Sequence, residues 1–107
     1  MNLNDISMQN KEKLVRNIGK MYRDSLQLAK SDAFSQVSER EGIYHCLELR
    51  YKIERIMNDL RLEYAFIIQK EFLEENSGNW YEKYLSQEEY SLYRVGAIDE
   101  FLHCLYG

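Results

Sequence analysis

The chain has 107 residues, a formal net charge of −4 and 45% hydrophobic residues, enough for one packed core without disulfide or metal staples. That apolar share excludes disorder along the whole length, and no proline with only five glycines favours long helices with few breaks. No apolar run approaches the ~20 residues that a membrane span needs. The N-terminus has no signal-peptide pattern, and Cys46 and Cys104, without a secretory context, fit reduced thiols in a cytoplasm.

Met1 to Asn10 is polar and is expected to fray. From Lys11 to Lys30 the pattern turns helical, with Leu14, Val15, Ile18, Met21, Tyr22 and Ala29 on one side. Lys13, Arg16, Lys20 and Arg23 recur at spacings of three and four on the other side, a stripe that suits an acidic partner or phosphate. The default for such a stripe is a solvated helix face. Gly19 interrupts this helix only weakly. Ser31 to Val37 is a polar linker with one apolar plug, Phe34. Ser38, with Glu41 three residues on, forms a capping box that opens the second helix. Cys46, Leu49, Ile53, Ile56 and Leu60 then give a heptad-like seam, and Leu47 and Tyr51 widen its apolar face. Asn58-Asp59 marks a break.

Tyr64, Ile67, Ile68, Phe72 and Leu73 carry the third helix. The run from Glu74 to Asn79 is the clearest loop, with Gly78 free to take positive φ. Trp80 and Tyr81 follow and seal the corner, with short helical turns expected over Trp80–Tyr84. Ser86 and Glu89 make a second capping box before a helix with Tyr90, Tyr93, Ala97, Phe101, Cys104 and Leu105 on its apolar side. The whole predicts an all-α compact bundle of about four helices, near residues 10–30, 39–58, 61–74 and 86–105. It forms a single helical domain with a helix-turn-helix-like hairpin over 60–106. Ile67, Phe72, Trp80, Tyr90 and Phe101 are expected to be buried where the last two helices meet.

This tail resembles the helix-turn-helix of sigma-70 region 4, in the shortened form found in small bacterial and phage proteins. The matching pieces are Ile67-Ile68, Phe72-Leu73, Trp80-Tyr81, Tyr84, Ser86, Tyr90, Arg94, Ala97 and Glu100-Phe101-Leu102. The resemblance implies contact with nucleic acid or a protein partner, RNA polymerase included, through Ser86, Gln87, Tyr90, Tyr93 and Arg94. Charge departs from the pattern. A DNA-facing helix is normally basic, because phosphate neutralisation supplies most of the affinity. Here Gln87, Glu88 and Glu89 follow the initiator Ser86, and Arg94 is the helix's one Lys or Arg. From Met57 to Gly107 four basic residues face ten acidic ones, a local charge of −6.

No catalytic constellation emerges. The pairs His45-Cys46 and His103-Cys104 place adjacent side chains about 100° apart on a helix, which disfavours joint ligation of one zinc ion, and both thiols lie on apolar stripes. Glu74-Glu75 and Glu88-Glu89 read as solvated or dipole-favoured carboxylates. The sequence thus predicts a non-enzymatic chain that needs no cofactor. Three function classes stand open: a transcription-associated protein contacting DNA, RNA polymerase or both; a protein-interaction module or homodimer that does not bind DNA; and an acidic inhibitor that occupies a partner's nucleic-acid groove.

Overall fold

A computed structural model describes the backbone of residues 3–30 and 40–107 and the side chains of 3–27 and 47–107. The expectations for Phe34, the Ser38 capping box, and the Ala29, His45 and Cys46 side chains fall outside those residues. The elements in order are a 3-10 turn at Leu3–Asp5, α1 at Met8–Lys30, α2 at Arg40–Asp59 and α3 at Leu62–Ile67. α3 runs straight on into a π-helix at Ile68–Leu73; a 3-10 turn at Trp80–Lys83 and α4 at Gln87–Tyr106 follow. The architecture is all-α, with four principal helices and no strand among the described residues.

From Leu3 to Asn10, where fraying was expected, the chain forms the 3-10 turn and the start of α1. Ser7 opens α1, its hydroxyl accepting the Asn10 N–H at 3.3 Å, the bond that an N-cap supplies. Leu3 and Met8 pack against the core, so the segment has both a cap and an anchor.

Val15 and Ile18 of α1, Ile53 and Ile56 of α2 with Leu60 just beyond it, Ile67 to Leu73 in part, and Ala97, Ile98, Phe101 and Leu102 of α4 form one cluster. On α4 the buried stripe advances by one helical period, from Ala97 and Ile98 to Phe101 and Leu102. That stripe leaves Cys104 exposed, against its expected place on the apolar side. Leu47 and Tyr51 also point outward, Tyr51 at 68% exposure, because α2 meets its neighbours through Ile53, Ile56 and Leu60, flanked by Leu49 and Met57. Ile67, Phe72 and Phe101 are fully buried as expected, whereas Trp80 and Tyr90 are half-buried.

One polar tie fixes how α1 crosses α4. Lys11, almost fully buried, donates to Asp99 at 2.6 Å. A second fixes α1 to the π-helix. Gly19 sits against the Phe72 carbonyl so closely that a Cβ there would overlap the oxygen. One turn on, Arg23 donates to that same oxygen at 2.5 Å. Carbonyls at a helix end lack intrahelical partners; Arg23 serves Phe72, and the Asn76 side-chain amide serves Lys70 at 2.8 Å.

Candidate functional site

The π-helix, the loop after it and the first half of α4 enclose the one elaborate polar cluster among the described residues. Its centre is Glu71, 6% exposed. In the π-helix the Glu74 N–H reaches back five residues to the Gln69 carbonyl at 2.8 Å, widening the turn that carries Glu71. Trp80 Nε1–H donates to Glu71 Oε1 at 3.1 Å, and the Tyr90 hydroxyl donates to the same oxygen. Arg94 Nε–H donates to Oε2 at 2.7 Å. From Arg94 the network continues to Glu12 on α1 at 2.8 Å, and Arg16 meets the same Glu12 oxygen at 2.8 Å. Both guanidiniums lie near the Phe72 ring, at 5.3 Å for Arg16 and 5.7 Å for Arg94, close enough for cation–π attraction. The Tyr81 and Tyr90 rings stack at 3.7 Å, and the Trp80 indole meets Tyr90 edge-on.

Electrostatics follow from burial. Burial, and then the Glu71 carboxylate beside it, push the Tyr90 hydroxyl well above its ordinary range, so it stays protonated and stays a donor. Burial works against the charge on Arg94, yet Glu71 and Glu12 outweigh it and hold the proton more tightly than usual. The hydrogen bond from Arg16 holds Glu12 below its ordinary value, with a smaller contribution from Arg94, against its own desolvation. A carboxylate this buried is tolerable only with its oxygens satisfied, and Glu71 has three donors.

The five residues expected to make contacts therefore separate. Ser86 is the N-cap of α4: its hydroxyl accepts the Glu89 N–H at 3.1 Å and Glu89 reaches back to the Ser86 N–H at 3.1 Å. Gln87 is exposed, Tyr93 is half-buried against the core, and Tyr90 and Arg94 turn inward to Glu71. Sequence reasoning missed Glu71, Glu12 and Trp80 Nε1 as members of one network. A signal was present: Tyr64, Ile67, Ile68 and Glu71 follow a helical stripe, so a carboxylate stands where an apolar side chain is due.

The outer face of α4 is what remains open. Glu88, Glu89 and Ser91 are exposed along it, and so are Leu92 at 71% and Val95 at 46%. The cations of this half are mostly committed elsewhere: Arg61 to Glu63 at 2.7 Å, Lys70 to Glu74 at 3.4 Å and Arg94 as above. Lys83 has no ion-pair partner among the described residues, and it lies in the 3-10 turn and not on α4 itself. Beside Val95 an open cleft of about 440 Å³ runs between Arg16, Arg94 and the loop at Asn76–Gly78. The loop turns where Glu75 and Gly78 both take positive φ, 59° and 67°, and Gly78 does so without the cost a side chain would add.

Among the described residues no helix is long and apolar enough to cross a membrane, and no group of three or more His, Cys, Asp or Glu is placed to hold a metal ion. The connection from Glu74 to Ser86 carries its own 3-10 turn, longer than the roughly three- to four-residue turn of a helix-turn-helix. Comparison with family models, with curated proteins and with solved structures gives no match to this chain.

Proposed function

We propose that the chain is a small non-enzymatic protein-contacting module. Its last two helices present the outer face of α4 to a protein and not to duplex DNA. The observation that carries this reading is the composition of that face. Leu92 and Val95 stand out into solvent beside Glu88 and Glu89, and the helix's one Lys or Arg, Arg94, is committed to Glu71 and Glu12. Apolar side chains on an otherwise charged surface suit a protein interface. Phosphate contact needs free cations, and this face offers none. RNA polymerase is the partner class that the region 4 resemblance implies. The long turn before α4 and the inward Arg94 set this hairpin apart from a DNA-reading one.

Two measurements test the proposal. Fluorescence anisotropy on a labelled duplex across a salt series should show no tight binding by the wild type. Gln87→Lys with Glu88→Lys, which spares the Glu89 capping bond, should create salt-steep affinity, each new phosphate contact adding about 0.9 to the slope. Binding to immobilised bacterial RNA polymerase should be present in the wild type. It should be lost in Leu92→Glu and Val95→Glu with circular dichroism unchanged. Tight duplex binding by the wild type, or polymerase binding indifferent to Leu92 and Val95, would overturn it.

A further inference from the structure

The cleft beside Val95 has more hydrogen-bond donors than acceptors. Each guanidinium carries five N–H donors. The described partners take two from Arg94, at Glu71 and Glu12, and one from Arg16, at Glu12. The Ser77 and Ser91 hydroxyls, which also line the cleft, bond to no other described residue. Of the lining residues, Glu71 supplies the one carboxylate, and its oxygens already accept from Trp80, Tyr90 and Arg94. The Arg16 side chain is half exposed, so its spare donors reach the cleft mouth. Val95, on the rim, joins this donor-rich hollow to the apolar outer face of α4.

We propose that the cleft receives a carboxylate side chain of the protein partner, one placed next to an apolar residue that covers Leu92 and Val95. This rests on reading that face as a protein contact. The planar fork of Arg16 can donate two parallel bonds to a carboxylate, and Ser77 of the loop and Ser91 of α4 add neutral donors. Charge selects a monoanion over a phosphate dianion. Glu12 and Glu71 already balance the two guanidiniums, and the chain as a whole carries −4. The cleft therefore holds a carboxylate through directional N–H and O–H donors and not through net charge, and a second negative charge on the ligand would add only repulsion.

Two blocked dipeptides differing in one charge, N-acetyl-Glu-Leu-amide and N-acetyl-Gln-Leu-amide, test this by NMR titration. The signals to follow are Arg16 Nε–H and the amides of Ser77, Gly78 and Ser91. The Glu peptide should shift them saturably, and the Gln peptide should bind about tenfold more weakly, as loss of a charge-assisted bond implies. Arg16→Gln should abolish the difference between the two. Ser77→Ala with Ser91→Ala leaves the Glu71 network untouched and should weaken the Glu peptide, which keeps the test open if Arg16→Gln unfolds. Equal binding of the two peptides, tighter binding of inorganic phosphate than of the Glu peptide, or full affinity in the double serine variant would each overturn the proposal. A failed titration leaves polymerase binding through Leu92 standing, whereas lost polymerase binding with an intact titration counts against the interface reading instead.

Discussion

Glu71 is flanked on its own segment by Ile67, Ile68 and Phe72, all essentially without solvent contact, so three donors take the place of water around its carboxylate. Removing one member of a buried ion pair costs ~3–5 kcal/mol, since the other is left uncompensated. Glu71→Gln should therefore lower the stability read from urea unfolding by about that amount. Arg94→Met added to it should recover part of the loss, because the half-buried guanidinium, left with Glu12 alone, is gone. Tyr90 supplies the pH dependence. Its folded-state pKa lies above the ordinary 10.0, from burial first and Glu71 second. The stability it contributes is thus complete below about pH 10 and is lost as pH rises toward the folded value. Thermal melts from pH 8 to 11 should show this alkaline loss. Tyr90→Phe should flatten most of it, leaving smaller parts due to Tyr22, raised by burial and Glu54, and to Cys104, raised by burial and Glu100.

Among the elements, α4 and the loop before it were legible because local rules govern them. Ser86 and Glu89 form their capping box, and Gly78 takes positive φ. The third helix was legible only in outline. Its change from α to π at Ile68, and the approach of Arg23 and Gly19 to its Phe72 carbonyl, are encoded in no periodicity within the segment. Arg94 was read as a contact residue from the region 4 resemblance, which carries no knowledge of burial, although it shares a stripe with Tyr90, Ile98 and Phe101. Two opposite charges, each on an apolar stripe, were the available sign of a buried pair. Gly19 shows the same limit. Ala is the better helix former by about 1 kcal/mol, yet here its Cβ would meet the Phe72 carbonyl oxygen, which is backbone and cannot turn aside. Gly19→Ala should destabilise by ~1–3 kcal/mol, as overpacking does, and the melting temperature should fall; a rise would mean that α1 does not approach the π-helix so closely.

At the scale of the molecule, one core is shared by all four helices, with Phe101 at no solvent exposure near the middle of it. Phe101→Ala should cost ~3–5 kcal/mol, the usual range for emptying a large aromatic site, measured as a shift in the denaturant midpoint at unchanged slope. The charge asymmetry between the halves, −6 after Met57 against +2 before it, is partly consumed inside the fold. Lys11 on Asp99 and Arg23 on Glu75 bind basic α1 to the acidic tail, and Glu12 of α1 holds the tail's Arg94 in the opposite sense. What faces outward on α4 is therefore apolar and acidic, the combination on which the proposed protein contact rests.

The Glu12–Arg94–Glu71 chain also bears on modularity. Helical hairpins are often treated as cassettes that evolution or an engineer can move between proteins. This one has its ion network completed by α1, its terminal carbonyl satisfied by Arg23, and its Phe72 ring flanked by Arg16. Cut at Leu60 and transplanted, it would leave Arg94 half neutralised and the Phe72 carbonyl without its donor. The hairpin and the body that holds it are thus one inheritance, and a recipient scaffold would have to bring its own counterpart of α1.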